Sequence, residues 1–184
     1  MSAASLPTQI RVLMATPEPP ELGPGPRPAV FALKGLQQRL AAMLSGVKLE
    51  PQRKELIEAV VLLWHDHHEP AHAMVQNLED PDGSYVHAIL HRREPDYGNA
   101  RYWFHRVGRH ASFRELALVA ANLFSSSTHA ELKATLLPEG EWNSLAFVGE
   151  CERAESKPDS DPVKRILREI QAAEFEILLK RFCA

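Results

Sequence analysis

Apolar residues recur every three or four positions through most of the chain from Ala29 to Phe182, and this spacing constrains the fold most. The first such stripe consists of Val30, Leu33, Leu36, Leu40 and Met43. Residues at this spacing share one face of an α-helix, whereas a half-buried strand needs alternation with a period of two. No stretch of useful length alternates in that way. The sequence therefore predicts an all-α fold, a compact single-domain bundle of about seven or eight helices within residues 29–184.

The N-terminal part of the chain has a different composition. Seven of the fourteen prolines lie in residues 1–28, concentrated in the sequence PEPPELGPGPRP. Proline lacks a backbone N–H and has a fixed φ, so it disfavours helices and sheets. We therefore expect residues 1–28 to form a Pro-rich arm that is extended or disordered. Within it, residues 10–14 could form a short strand or pack as an arm.

Two further prolines bear on the helix boundaries. Apolar spacing predicts one long helix over residues 52–77, and Pro70 lies inside it. Because Pro70 cannot donate to the carbonyl four residues earlier, we expect a kink or break at this point. The sequence DPDG at residues 80–83 predicts a turn, and Ser84 is the expected N-cap of the helix that follows.

Charge and cysteine content exclude several classes of protein. The net charge of −3 does not favour nucleic-acid binding, and no apolar run approaches the length needed to cross a bilayer. The N-terminus lacks the basic start and apolar stretch of a secretory signal. Cys151 and Cys183 lie far apart and form no CxxC motif, so free thiols are expected. We therefore predict a soluble cytoplasmic protein with no membrane partner.

Histidine is concentrated in one part of the chain, since eight of the nine histidines lie in residues 64–110. With about 100° of rotation per helical residue, positions i, i+4 and i+7 lie along one stripe. Two sets of residues have this spacing: His65, Glu69 and His72 in the first, and His87, His91 and Glu94 in the second. The short connection between the two helices favours antiparallel packing, which could bring the stripes together.

The side chains in these stripes suit a metal ion. Neutral imidazole and carboxylate groups bind divalent zinc, iron, nickel or manganese. We therefore predict four metal ligands: His65, His72, His87 and His91. Glu69 or Glu94 would act as a further ligand or as a general base in a metal-dependent reaction.

A run of arginines and aromatic residues follows the histidines. Six of the fourteen arginines, and no lysine, lie in residues 92–114. The planar guanidinium group binds phosphate or carboxylate through two parallel hydrogen bonds. We therefore expect a small anionic ligand, held by Arg92, Arg93, Arg101, His68 and Tyr102. Nucleic acid is not the expected partner, because the chain is not basic overall.

Two other interpretations stay open at this point. The same arginines and histidines could form a metal-free binding module for an anionic small molecule. Alternatively, the histidines could form a purely structural hydrogen-bonded network within an interaction protein. The chain contains no GxSxG, P-loop or GxGxxG motif that would name a reaction, so enzymatic activity is left undecided.

The motifs WHDHHEPAH and GSYVHAILHRREPDYGNARYWFHRVGRH resemble the signature of a family of small uncharacterised proteins. The later sequence IQAAEFEILLKRFC resembles the C-terminal helix of that family, so the resemblance covers about residues 55–182. It implies no catalytic assignment, since no activity is established for the family. The positions that match the signature are Trp64, His65, Asp66, His72, His87, His91, Arg92, Arg93, Glu94, Asp96, Asn99, Tyr102 and Trp103.

Overall fold

The fold is all-α, as the apolar spacing predicts. The structure is a computed structural model, and it describes residues 5–125 and 129–184. Ten α-helices occur in these described ranges: α1 (Leu6–Leu13), α2 (Leu33–Leu44), α3 (Pro51–Trp64), α4 (His68–Val75), α5 (Pro81–Arg93), α6 (Tyr97–Val107), α7 (Ser112–Ser125), α8 (Ala130–Leu136), α9 (Ser144–Ala154) and α10 (Pro162–Phe182). A 3₁₀ turn, Pro138–Gly140, lies between α8 and α9. None of the helices described here is long and apolar enough to cross a membrane.

Helix α5 lies at the centre of the bundle. Every residue from Gly83 to Arg93 is buried, although this stretch contains histidines and arginines. It packs against α3, α4 and α6. A helix that is buried all round is normally apolar, and each polar side chain on α5 therefore needs a partner on a neighbouring element.

The helix count exceeds the expected seven or eight partly because the segment 52–77 forms two helices. The break lies at His65–His67, before Pro70 rather than at it. Asp66 adopts a left-handed backbone conformation with φ of 64°, which changes the direction of the chain between α3 and α4. Pro70 consequently lies in the first turn of α4, where a missing N–H breaks no helical hydrogen bond.

The expected turn at residues 80–83 is the beginning of α5 instead. The side chain of Asp80 accepts hydrogen bonds from the backbone N–H groups of Asp82 and Gly83, at 3.0 and 3.2 Å. Pro81 occupies the first helical position, where proline is well tolerated. The N-cap is thus Asp80 and not Ser84, whose buried hydroxyl donates to the carbonyl of Glu79 at 3.3 Å.

The described part of the N-terminal segment packs against the helical domain. Residues 6–13 form α1, which the sequence did not predict, and Ile10 and Leu13 are buried. The residues from Met14 to Ala32 form no regular helix, in agreement with their proline content. Their carbonyl groups accept hydrogen bonds from the side chains of Arg93, Arg168 and Gln171. The segment therefore satisfies polar groups that the helices alone would leave buried without partners.

A three-residue network joins the start of α5 to the C-terminal end of the bundle. Asp82 Oδ1 accepts hydrogen bonds from His110 Nε2 at 2.8 Å and from Arg181 Nε at 2.6 Å. Burial alone would raise the pKa of Asp82, but these two donors lower it to about 2. The carboxylate is therefore favoured in the folded state relative to the unfolded state.

We expect Asp82→Asn to lower the free energy of unfolding by about 2 kcal/mol at pH 6. Because the folded pKa lies below the ordinary value, the stabilisation is complete above about pH 4 and disappears as the pH falls towards 2. Urea unfolding of both proteins between pH 6 and pH 2.5 would measure this convergence. The exposed Glu131→Gln serves as control, and an Asp82→Asn effect that does not depend on pH would contradict the assignment.

Candidate metal centre

Three of the four histidines predicted as metal ligands come together. His87 and His91 are one turn apart on α5, and His72 reaches them from α4. One ring nitrogen from each lies within 4.8 Å of the other two. In the part of the chain that the structure describes, this is the single group of three or more His, Cys, Asp or Glu residues with such spacing. The triad His72, His87 and His91 is therefore the candidate centre.

His87 is the most enclosed member of the triad. Its side chain is 3% exposed, and its ring stacks on Trp103 of α6 with 4.0 Å between the ring centroids. The ring of His91 stacks near it at 4.8 Å. Both ring nitrogens of His87 are buried and lack a hydrogen-bond partner in the described structure. Since nearly all buried polar groups are satisfied, an orphaned imidazole of this kind calls for an explanation such as an ion.

The pKa values of His87 and His91 are shifted towards the neutral form that metal binding requires. Burial, together with the positive charge that His91 and His72 would carry, lowers the pKa of His87 to about 3. Burial also lowers the pKa of His91, partly offset by the carboxylate of Asp96. Neutral imidazoles can coordinate a cation without first losing a proton.

Carboxylates lie along the solvent-facing edge of the triad. Glu94 Oε2 lies 3.4 Å from His91 Nδ1, and Asp96 Oδ2 lies 3.8 Å from the same nitrogen. Neither contact has the geometry of a hydrogen bond. Partial burial and the negative charges of Asp96 and Glu69 raise the pKa of Glu94, against the opposing effect of His72. The edge of the site is thus acidic and suits a cation.

The donor set fits a tetrahedral divalent ion after a small contraction. Zinc–nitrogen bonds of about 2.0–2.1 Å place tetrahedral ligand atoms roughly 3.4 Å apart. The ring nitrogens of the triad, at up to 4.8 Å, would therefore have to approach one another by up to about 1.4 Å. His72 is only partly buried, so its side chain has room to rotate. Three protein ligands leave the fourth coordination position of such an ion open.

His65, the fourth predicted ligand, lies apart from the triad in a structural position. Its Nδ1 accepts a hydrogen bond from the backbone N–H of Phe31 at 3.2 Å, and its Nε2 donates to the carbonyl of Leu13 at 3.0 Å. Both ring nitrogens are therefore occupied. The prediction assumed that α3 and α4 form one continuous helix, and the break at Asp66 removes His65 from the stripe that His72 occupies.

The residues around His65 bind the N-terminal segment as well. Trp64 Nε1 donates to Thr16 Oγ1 at 3.1 Å, and His67 Nε2 donates to the carbonyl of Phe31 at 2.8 Å. Asp66 accepts from the backbone N–H of Arg27 at 2.8 Å. The motif WHDH, residues 64–67, therefore binds the N-terminal segment to the end of α3. These four residues have a structural role and do not belong to the triad.

The arginines expected to hold an anion are paired within the fold. Arg92 is 0% exposed and binds Glu174 and Gln171 of α10. Arg93 is also 0% exposed and binds Asp66 at 2.7 Å. Arg101 lies nearer the surface, where it pairs with Glu152 of α9. None of these three guanidinium groups contacts the triad through a hydrogen bond or ion pair that the structure describes.

The other two residues expected to bind a ligand, His68 and Tyr102, lie on different helices, α4 and α6. His68 Nδ1 contacts the carbonyl of Asp66 at 3.2 Å, while burial and the charge of Arg93 lower the pKa of His68 to about 4. Tyr102 is 53% exposed on α6 and touches the edge of Trp103. No contact between Tyr102 and His68 is described, and Nε2 of His68 is buried without a hydrogen-bond partner in the described structure.

Sequence reasoning did not assign Trp103 or Asp96 to the site. Trp103 forms the wall against His87, and Asp96 faces His91 while its side chain caps α6 by accepting from the N–H of Asn99 at 3.2 Å. The cap was predictable, because Asp96 follows Pro95 at the beginning of a helical pattern. The stacking of Trp103 depends on how α5 and α6 cross, which no local pattern indicates.

Comparison of the chain with protein-family models, with curated proteins and with solved structures found no match. The resemblance of the WHDHHEPAH and HRREPDY motifs to a small-protein family therefore stays a prediction.

Proposed function

We propose that this protein binds one divalent transition-metal ion, zinc or an ion of similar preference, through His72, His87 and His91. The observation that carries the proposal is the orphaned His87 imidazole, buried between Trp103 and His91 with both nitrogens lacking a partner. Two more ring nitrogens lie close enough to share an ion with it. Coordination would satisfy these buried groups, which otherwise reduce stability.

The coordination number favours a metal that takes part in binding or chemistry over one that only holds the fold. Structural zinc sites use four protein ligands, whereas catalytic sites use three and leave a position for water or substrate. The described core is extensive and needs no metal for its assembly. An ion bound here would supply a Lewis acid and a water of lowered pKa to a ligand that enters past His72. The enzymatic part of the proposal depends on this open position.

The metal-free alternative, an anion-binding module, has less support. It relied on Arg92, Arg93 and Arg101, and all three are paired with carboxylates of the chain itself. The nearest charged groups to the triad, Glu94 and Asp96, would repel an anion.

The test is metal content and metal affinity of protein purified without a histidine tag. We expect one equivalent of metal per chain and a loss of zinc affinity of about a thousand-fold or more in the His87→Ala, His91→Ala double variant. The exposed His105→Ala on α6 is the matched control and should bind normally. A folded protein that binds no added zinc, cobalt, nickel or manganese would contradict the proposal and favour a structural histidine network.

Cobalt substitution tests the open position separately. Visible absorption of the cobalt-loaded protein should be that of a four-coordinate ion and should change when imidazole or azide is added, because either can replace a bound water. A spectrum that no added ligand alters would indicate a closed structural site.

A further inference from the structure

The turn that follows α5 folds back over His91. The backbone N–H of Asp96 donates to the carbonyl of His91 at 2.9 Å, so the chain reverses within five residues. This turn places the carboxylates of Glu94 and Asp96 on one side of the His91 ring. The two acids therefore approach the ring from the turn that directly follows it in the chain.

Both carboxylates lie close to the same atom of His91, the ring nitrogen Nδ1. Glu94 Oε2 lies 3.4 Å and Asp96 Oδ2 lies 3.8 Å from Nδ1, and that nitrogen is buried with no hydrogen-bond partner in the described structure. A carboxylate beside a ring nitrogen favours the tautomer that carries a proton there. The lone pair is then left on Nε2, the opposite nitrogen of the ring.

We propose that His91 binds the metal through Nε2, and that Glu94, assisted by Asp96, is the positioning residue that accepts a hydrogen bond from His91 Nδ1–H. The proposal rests on the metal-binding function above and refines it. Metal-ligating histidines usually donate their second ring N–H to a carboxylate, which fixes the ring orientation and raises the basicity of the ligand atom. Glu94 thus acts on the metal through His91 and is not the general base that its position in the sequence suggests.

The two acids differ in how tightly the rest of the chain holds them. Asp96 is already bound to Asn99, its Oδ2 accepting from Asn99 Nδ2 at 2.6 Å, so it has little freedom to move closer to His91. The side chain of Glu94 is 34% exposed and has no such restraint in the contacts described. Glu94 can therefore close the remaining few tenths of an ångström to a hydrogen bond, and it should contribute more than Asp96.

The test compares zinc affinity of the full-length protein with that of Glu94→Gln and Asp96→Asn, by competition with a chromophoric chelator. We expect Glu94→Gln to weaken zinc binding about 10- to 100-fold, and Asp96→Asn to weaken it less. Glu131→Gln is the control, because it removes an exposed acid on α8 that does not belong to the group around the triad. Glu94→Asp, whose carboxylate is one methylene shorter, should recover only part of the affinity.

Long-range ¹H–¹⁵N NMR of the zinc-loaded protein supplies a readout that a merely structural role would not alter. We expect the His91 ring to show a protonated Nδ1 and a metal-bound Nε2. Coordination through Nδ1, or unchanged zinc affinity in Glu94→Gln, would overturn this inference while leaving the metal site itself intact. Absence of zinc binding in the unchanged protein would overturn the proposed function and this inference together.

Discussion

Replacement of Asp66 by alanine is expected to lower the free energy of unfolding by about 3–5 kcal/mol. The side chain of Asp66 is 0% exposed and lies between two guanidinium groups, with Arg93 Nη2 at 2.7 Å and Arg27 Nε at 3.2 Å. Burial alone would raise its pKa, but Arg93 and the backbone N–H of Arg27 lower it. Removal of the carboxylate would leave two buried positive charges without an anion.

We expect Asp66→Ala to weaken zinc binding as well, through its effect on the position of α4. Asp66 lies in the break between α3 and α4, in a left-handed conformation that alanine adopts with a steric penalty. The break sets the direction of α4 and with it the position of His72. We therefore expect Asp66→Asn, which keeps the shape and local backbone preference of the side chain, to weaken both stability and zinc binding less than Asp66→Ala does.

Urea unfolding at pH 7 measures the effect of Asp66→Ala on stability, with Asp159→Asn as control. Asp159 pairs with Lys164, but its side chain is 73% exposed, so its replacement should change the free energy of unfolding very little. If Asp66→Ala lowered the free energy of unfolding as little as Asp159→Asn does, the buried cluster would tolerate uncompensated positive charge.

Glu174→Ala is expected to have a comparable effect, about 3–5 kcal/mol, in a different part of the core. Glu174 is 1% exposed and binds Arg92 through two hydrogen bonds of 2.5 and 3.3 Å. The Arg92 guanidinium is 0% exposed and also lies 4.5 Å from the centroid of the Phe147 ring. Without Glu174, Gln171 would be the remaining side-chain hydrogen-bond acceptor that the structure describes for this charge.

The double variant Arg92→Met, Glu174→Leu removes both charges at once. It therefore distinguishes the net contribution of the ion pair to stability from the destabilisation caused by one unpaired buried charge. Replacement of a buried ion pair by apolar residues of similar size is often neutral, because it also removes two desolvation penalties. We expect the double variant to recover most of the stability lost in Glu174→Ala. Urea unfolding of this double variant and of the single variants Arg92→Met and Glu174→Leu completes a double-mutant cycle, which gives the coupling energy between the two side chains.

Glu176→Ala is the control for this pair, since it lies two residues away on α10. Its partner, Arg11, is 61% exposed, and the loss of this surface ion pair should cost between zero and about 1 kcal/mol. If Glu174→Ala and Glu176→Ala had equal effects, burial would not be the property that makes the Arg92–Glu174 pair important.

Local patterns were sufficient for much of the secondary structure. The last helix begins at Pro162 with Asp161 as its cap, and α6 begins after Asp96; aspartate is a common N-cap, and proline is well tolerated at the first helical position. The apolar stripe of residues 33–44 corresponds to α2. These predictions hold because propensity, capping and apolar period are properties of neighbouring residues, and the tertiary structure agrees with them here.

The pairing of charged residues could not be predicted in the same way. Arg92 and Arg93 are adjacent in the sequence, yet one binds α10 and the other binds Asp66 before α4. Adjacent residues on a helix point about 100° apart, so their partners come from different neighbouring elements. In the sequence alone, these two adjacent arginines resembled part of an anion-binding site, because their buried partners could not be seen.

The sequence by itself determined that this protein is helical, and that His87 and His91 share a face of one helix together with Glu94, because that relation depends only on the helical period. The tertiary structure decided which histidine of the preceding segment joins them. His65 and His72 are seven residues apart and would share a stripe in an unbroken helix. The left-handed turn at Asp66, held by Arg27 and Arg93, directs His65 to the N-terminal segment and His72 to the triad. The choice of His72 over His65 depends on buried charges that are distant in the sequence. For that reason no local sequence pattern predicts it.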